Sequence, residues 1–185
     1  MFKINDHVIY AGHGVAVIDE VIERSVAGGT MQFLKLTFLF KDMTILVPMY
    51  NIAGIGLRYP SSDAAIAQAL NELTLQPERR LETIDFTPSA WNRRNKEYQT
   101  KIQGGSLIDI IRIYRDLMHI AQQKDLSFGE RSVLQSTEEL LAQEIQVVKK
   151  VSKEHVIQLL RAPFKQFNFH DKNFMQPEVT TSTLN

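Results

Sequence analysis

The first sixty residues alternate short apolar runs with tight turns, a pattern typical of β-strands. Candidate strands cover residues 7–10, 15–22, 33–40, 43–47 and 54–58. A turn at 27–30 contains two glycines, and Lys41 and Asp42 form a two-residue turn between the third and fourth strands. Pro48 is expected to end the fourth strand, because proline has no N–H to donate to a neighbouring strand. Four or five short strands predict a small curled sheet or an SH3-like barrel.

After Pro60 the apolar period changes from two residues to about 3.6, the period of an amphipathic helix. Five helices are predicted. The first is capped by Ser62 or Asp63 and ends before Pro77, and the second runs from Pro88 to Ile102, with Thr87 as its N-cap and Gly104 and Gly105 as its stop. The third begins after Ser106, the fourth begins at the capping box of Ser127 and Glu130, and the fifth covers residues 153–160. Residues 76–88 are predicted to be a linker.

This change of period divides the chain into two parts and predicts the fold class α+β. Residues 1–60 form a small N-terminal β-barrel module. Residues 61–165 form a C-terminal all-α helical bundle. Residues 166–185 are polar and without a period, which predicts a flexible tail.

The charge of the chain is zero in total but uneven along its length. There are 21 Lys and Arg against 21 Asp and Glu in 185 residues. Residues 1–60 are neutral, whereas 91–115 carry six cations and two acids, a net charge of +4. A second basic segment, 149–165, also has a net charge of +4, and is either an extra helix packed on the bundle or a further DNA contact. Because opposed patches compensate, the zero total does not exclude a nucleic-acid partner.

No combination of residues points to catalysis, a metal or a cofactor. The chain has no cysteine, so a disulfide framework, a thiolate metal site and a thiol nucleophile are all excluded. Its five histidines are scattered, and no serine lies in a GxSxG elbow. Gly12-His13-Gly14 lacks the lysine and further glycines of a phosphate-binding loop. We therefore expect a protein that is not an enzyme and has no small-molecule substrate.

The sequence also predicts a cytoplasmic protein without a membrane partner. No apolar run approaches the roughly 20 residues of a membrane span. Asn5 and Asp6 stand where a secretory signal would need apolar residues.

The single tryptophan stands at the start of a basic helix. Trp91 is followed by Arg93, Arg94 and Lys96. A core tryptophan would have apolar neighbours three and four positions on, but here they are Arg94 and Asn95. An exposed ring could instead enter a DNA groove while flanking cations neutralise phosphates. Residue types alone leave three roles open: core, nucleic-acid contact and protein interface.

Three blocks of sequence carry a resemblance to a known family. They are residues 2–10 with 13–15; residues 44–48 with 55–58; and residues 91–94 with 101–105, 114–117 and 126–131. In composition, order and spacing these blocks resemble the CarD-like, or CdnL, family of bacterial transcription regulators that bind RNA polymerase. The resemblance covers roughly residues 1 to 150.

The resemblance implies a two-part adaptor without catalytic activity. Its Tudor-like, SH3-like N-terminal module would dock on the RNA polymerase β subunit by pairing sheet edges. Its helical domain would contact promoter DNA in the minor groove, at the upstream edge of the transcription bubble, with weak sequence specificity. The effect would be to modulate the stability of the open promoter complex, and the protein is expected to be a monomer.

The resemblance also implies which residues contact DNA. Trp91 would be the minor-groove wedge, with Arg93, Lys96 and Arg131 as phosphate contacts. Arg94 belongs to the same predicted DNA-binding set.

A second set of residues is implied for RNA polymerase binding. Arg24 approximately matches a basic residue that faces the polymerase. Many relatives carry another basic residue where this chain has Leu46. Docking along Thr44, Ile45, Leu46 and Val47 would therefore depend on main-chain pairing and apolar contact more than on charge.

Two alternatives stay open from the sequence. In the first, the chain is a polymerase-binding adaptor without direct DNA contact, and Trp91 packs internally. In the second, it is a small RNA- or ribosome-binding protein that uses the same cations with aromatic stacking.

Overall fold

The computed structural model describes residues 2–26, 28–77 and 87–165, which form an N-terminal sheet followed by helices. Most of the predicted linker and all of the predicted tail, residues 166–185, lie outside the described residues. The architecture is mixed α+β, as the sequence predicts.

The sheet has five antiparallel strands in the order β4-β3-β2-β1-β5. The strands are β1 (His7–Tyr10), β2 (Gly14–Val26), β3 (Gly29–Phe38), β4 (Thr44–Pro48) and β5 (Leu57–Arg58). Within the described strands no ladder joins β4 to β5, so the sheet is open and the predicted barrel is not confirmed. The register of β2 against β3 shifts between Ile18 and Glu20, the kind of bulge that bends a strand. The sheet core is formed by Val8, Ala16, Ile18, Leu34, Leu36, Phe38, Val47 and Leu57.

Several strand boundaries differ from the sequence prediction. β2 continues to Val26 and β3 begins at Gly29, so each strand extends four residues beyond its prediction at the end where the two pair. The third strand ends at Phe38, so a loop over 39–43 replaces the two-residue turn. Leu39 and Phe40 extend the apolar pattern but are exposed in this loop, which is held by a hydrogen bond from Lys41 Nζ to His13 O (2.7 Å). The predicted fifth strand shortens to β5, because Met49–Ile55 forms a 3-10 helix.

The helices begin and end close to the predicted signals. They are α1 (Asp63–Glu72), α2 (Pro88–Gly104), α3 (Leu107–Gln123), α4 (Phe128–Lys149) and α5 (Lys153–Arg161), followed by a short 3-10 helix, Ala162–Phe164. The capping prediction is confirmed at Ser62, Thr87, Ser106 and Ser127, whose side chains each accept a backbone N–H. The capping box at Ser127 and Glu130 is also confirmed.

The second basic segment packs on the bundle through α5. Val156 and Leu160 of α5 are buried in the core of the helices. Three of its cations pair with acids elsewhere, in the ion pairs Lys149–Asp63 (2.8 Å), Lys153–Glu139 (2.6 Å) and Arg161–Glu138 (2.7 Å). Much of its positive charge is therefore used within the fold.

A buried carboxylate joins the helices to the sheet. Glu144 of α4 is 3% exposed. Its two carboxylate oxygens accept hydrogen bonds from the two terminal nitrogens of Arg58 of β5, each at 2.7 Å. The Ser61 amide and hydroxyl also donate to Glu144, at 2.9 and 2.7 Å. A buried charge is tolerated only when it is paired and hydrogen-bonded, and Glu144 meets both conditions.

Two further contacts close this junction between sheet and helices. Arg58 Nε donates to Gly105 O (2.7 Å), just after α2. Gly105 has φ +72°, and a Cβ there would lie 2.9 Å from Ala11 Cβ, so the close approach requires glycine. On β2, the Val15 N–H donates a hydrogen bond to Gln143 Oε1 of α4 (3.3 Å). The two parts therefore meet through specific polar contacts.

We expect Arg58→Ala to lower the free energy of unfolding by about 3 kcal/mol, because it leaves Glu144 buried without its counter-ion. Urea denaturation followed by circular dichroism measures the change. Lys35→Ala is the control, since the Lys35–Glu20 pair lies on the surface and should contribute little. Equal stability of Arg58→Ala and the wild type would contradict a structural role for the junction.

Candidate functional site

Trp91 lies in the first turn of α2, half buried at the edge of the helical core. Thr87 caps this turn by accepting the Ala90 N–H (3.4 Å). The indole packs against the core and lies across Gly129 of α4. A Cβ at Gly129 would be 2.9 Å from Trp91 Cζ2, inside van der Waals contact. The ring is therefore packed on the bundle and partly exposed, which leaves both the nucleic-acid contact and the protein interface open as roles for its exposed part.

Arg94 lies inside the bundle, whereas a DNA contact would have to lie on the surface. It is 4% exposed and forms an ion pair with the buried Glu130 (3.0 Å). Its guanidinium carbon is 5.7 Å from the Trp91 ring centroid, within range of a cation–π contact. Because a buried ion pair conceals the charge from DNA, Arg94 is better placed to support Trp91 than to bind phosphate.

Glu130 connects the start of α4 to this pair. Its carboxylate accepts a hydrogen bond from the Ser127 N–H (2.9 Å) in the capping box and another from Lys124 Nζ (2.6 Å). Burial by itself would raise the pKa of Glu130, but the hydrogen bonds from Lys124 and Ser127 lower it. Glu130 therefore stays ionised and holds Arg94 in place beneath Trp91.

The other predicted DNA contacts do not share one face with the ring. Arg93 and Lys96 are exposed on α2. At about 100° per residue, Lys96 is turned about 140° from Trp91 around the helix axis, and Arg93 about 160° in the opposite sense. Arg131 of α4 is half buried and donates to Leu126 O (3.5 Å). Arg93 and Lys96 therefore lie on the side of α2 away from Trp91, and Arg131 is the predicted cation on the helix that supports the ring.

The start of α4 adds residues to the site that the sequence does not predict there. In the sequence, Gly129 and Glu130 belong to the capping signal that begins at Ser127, within block 126–131 of the family resemblance. Phe128, the first residue of α4, is 89% exposed. The adjacency of Phe128 and Gly129 is visible in the sequence, but no local pattern shows that Trp91 lies against this turn.

The predicted polymerase-binding residues of β4 form one edge of the sheet. Phe38 N donates to Met43 O (3.0 Å), which fixes the alternation of main-chain groups between β3 and β4. By that alternation, the N–H and C=O of Thr44 and Leu46 point away from β3, toward the open edge. Ile45 and Leu46 are half buried and Thr44 is exposed.

Arg24 is separated from this edge. It is exposed on β2 and pairs with Met31, beyond the last β3–β4 pair, Phe33 with Pro48. It lies two strands from β4, roughly 10 Å sideways at about 4.8 Å between strands, and is also displaced along the strands by at least two residues, about 7 Å. The structure therefore brings together the four β4 residues but not Arg24.

An apolar cleft lies along β4. It has a volume of about 280 Å³ and is lined by Tyr10, His13, Met43, Ile45, Leu46, Val47, Pro48 and Ile55. Burial, together with the nearby charge of Lys41, lowers the pKa of His13. The cleft therefore offers a neutral pocket beside main-chain donors, the arrangement that an added strand uses.

Two other features bear on the choice of function class. In the part of the chain that the structure describes, no group of three or more His, Asp or Glu could hold a metal ion. Over the same residues, no helix has both the length and the apolar character needed to cross a bilayer.

Comparison with known proteins identifies the family. Residues 2–58 match the family model described as CarD-like/TRCF RID domain, and residues 81–161 match the model described as CarD, C-terminal domain. YdeB of Bacillus subtilis (strain 168), named as a candidate transcription factor, is 24% identical over 156 residues, which are 84% of this chain and 97% of YdeB. The two family models match the two structural parts in the same order. The chain therefore belongs to the CarD family of transcription-related proteins.

Proposed function

We propose that the protein docks on the RNA polymerase β subunit and contacts promoter DNA at the upstream edge of the transcription bubble, thereby modulating the stability of the open complex. The observation that carries this proposal is the half-exposed ring of Trp91, held in place by Gly129 and by the buried Arg94–Glu130 pair. The protein acts by binding, without catalysis, and its partner locates it in the cytoplasm.

The open edge of β4 is the proposed polymerase contact. It presents the main-chain groups of Thr44 and Leu46 together with the apolar cleft along β4. An incoming strand would gain affinity from the main chain and specificity from the cleft. The absence of a basic side chain at Leu46 agrees with this mode of docking. Arg24 would contact the polymerase at a separate point.

The DNA contact would combine Trp91 with cations of α2 and α4. An apolar ring can enter a distorted minor groove, while Arg131 of α4 and the exposed Arg93 and Lys96, on the other side of α2, would contact phosphates. Contacts of this kind detect deformability more than base identity. Docking on the polymerase raises the effective concentration of this surface at the promoter, so weak intrinsic DNA affinity suffices.

One observation favours a second candidate, an adaptor that binds polymerase without touching DNA. Trp91 packs against the helical core. In that case the ring would serve only the stability of the bundle, and its removal would not act on DNA specifically.

Removal of the ring separates these two candidates. We expect Trp91→Ala to leave polymerase binding intact and to shorten the lifetime of the open complex about five-fold, because an apolar contact at the bubble edge is lost. Promoter dissociation with the matching polymerase measures the lifetime. Ile157→Ala is the control, since Ile157 is also half buried against the helical core but lies on α5. Equal effects of both variants would favour the adaptor.

The position of the ring is tested by Gly129→Ala. The new Cβ would displace the Trp91 indole, while the helix itself favours alanine over glycine by up to about 1 kcal/mol. We expect a folded protein whose tryptophan fluorescence is shifted to the red and whose effect on the open complex is reduced. Trp91 is the only tryptophan, so the emission reports this site directly. Gly104→Ala is the control, because a Cβ there meets nothing within 4 Å. Unchanged emission in Gly129→Ala would contradict the packing of the ring on α4.

The docking edge is tested by Leu46→Pro in the full-length protein. Proline removes an N–H that points to the open edge, and leaves the bonds between β3 and β4 in place. We expect at least about a ten-fold loss of affinity for the β subunit in a pull-down titration, with the fold retained. Leu46→Ala, which keeps the N–H, should bind more tightly than Leu46→Pro. If both variants lost binding equally, the side chain rather than the main chain would be the contact.

A further inference from the structure

Phe128 is an exposed aromatic residue that the fold does not use. It is the first residue of α4 and, at 89%, the most exposed large apolar side chain in the described part of the chain. Ser127 and Glu130 provide the cap, and the buried Leu126 anchors the corner between α3 and α4. Since capping and packing are supplied by its neighbours, neither explains an aromatic ring at this position.

Phe128 is next to the surface that contains Trp91. Gly129, against which the indole lies, follows it directly. Consecutive Cα atoms are about 3.8 Å apart, so the backbone of Phe128 is one residue from the contact with Trp91. The corner of residues 124–131 thus carries one exposed aromatic side chain and supports another.

The charge at this corner does not oppose a polyanion. Glu130 is the buried acid of the corner, and it is paired with both Arg94 of α2 (3.0 Å) and Lys124 (2.6 Å). Within residues 124–131, Lys124 and Arg131 balance Asp125 and Glu130, a net charge of zero. The negative charge of Glu130 is therefore compensated, and it would not repel a phosphate backbone that approaches Trp91 and Phe128.

We propose that Phe128 is a second aromatic DNA contact, which stacks on a base at the bubble edge next to the position of Trp91. This inference rests on the proposed function, because it requires the corner to face DNA. Unstacked bases at a bubble edge present their faces to aromatic side chains, and such stacking does not depend on base identity. A second aromatic residue would thus strengthen DNA binding without adding sequence specificity.

Open-complex lifetimes with the full-length protein and the matching polymerase test the contact. We expect Phe128→Ala to shorten the lifetime about five-fold and Phe128→Tyr to retain it, because a tyrosine ring can still stack. Ile4→Ala is the control, since it removes an exposed apolar side chain from the N-terminal part. A normal lifetime for Phe128→Ala, with a shortened one for Trp91→Ala, would overturn this inference alone. Normal lifetimes for both would overturn the proposed function as well.

Crosslinking distinguishes DNA from protein as the partner. With p-benzoyl-phenylalanine incorporated at position 128, irradiation of open complexes on labelled promoter DNA should give a protein–DNA adduct near the upstream bubble edge. An adduct with a polymerase subunit, and none with DNA, would show that Phe128 belongs to a protein interface and would overturn the inference.

Discussion

The structure depends on one buried carboxylate. Glu144 lies in the buried stretch of α4 over residues 140–145, and it is stable there because Arg58 and Ser61 satisfy its oxygens. This contact can form only when the last strand of the sheet lies against the bundle. A hydrophobic contact would tolerate sliding, whereas a bidentate guanidinium–carboxylate pair specifies distance and direction. The pair therefore fixes the sheet relative to the helices, and with it the relative position of the two proposed interfaces.

Helix α4 carries that constraint to the surface that contains Trp91. Glu144 at the junction and Gly129 beneath Trp91 are fifteen residues apart on the same helix, a distance of about 22 Å at 1.5 Å per residue. Both ends of this distance are fixed by buried charge pairs, Arg58–Glu144 at one end and Arg94–Glu130 at the other. A docked N-terminal sheet would thus place the ring at a set distance from the polymerase, and not at the end of a loose tether.

The sequence predicted the parts of this structure that depend on local chemistry. Cap residues such as Thr87 and Ser127 act within their own helix turn, so their prediction is confirmed. The burial of Arg94 could not be predicted, because its partner Glu130 is 36 residues away and belongs to another helix. The prediction that the third strand includes Leu39 and Phe40 is wrong because these apolar residues continue the pattern of a strand although they lie in an exposed loop. The residue types around Trp91 point to the start of α2 as a candidate site, but the support of the ring from α4 is tertiary and leaves no local pattern.

The same ion pairs change the meaning of the charge pattern. Of the six cations in residues 91–115, Arg94, Arg112 and Arg115 pair with acids of the helical part, whereas Arg93, Lys96 and Lys101 are exposed. Affinity for DNA through counter-ion release grows with the number of phosphates neutralised, with a salt slope of about −0.9 for each. Three exposed cations give a small slope and weak binding to free DNA. The cations that pair with acids are less available to phosphates, which supports the proposal that docking on a partner brings the protein to DNA.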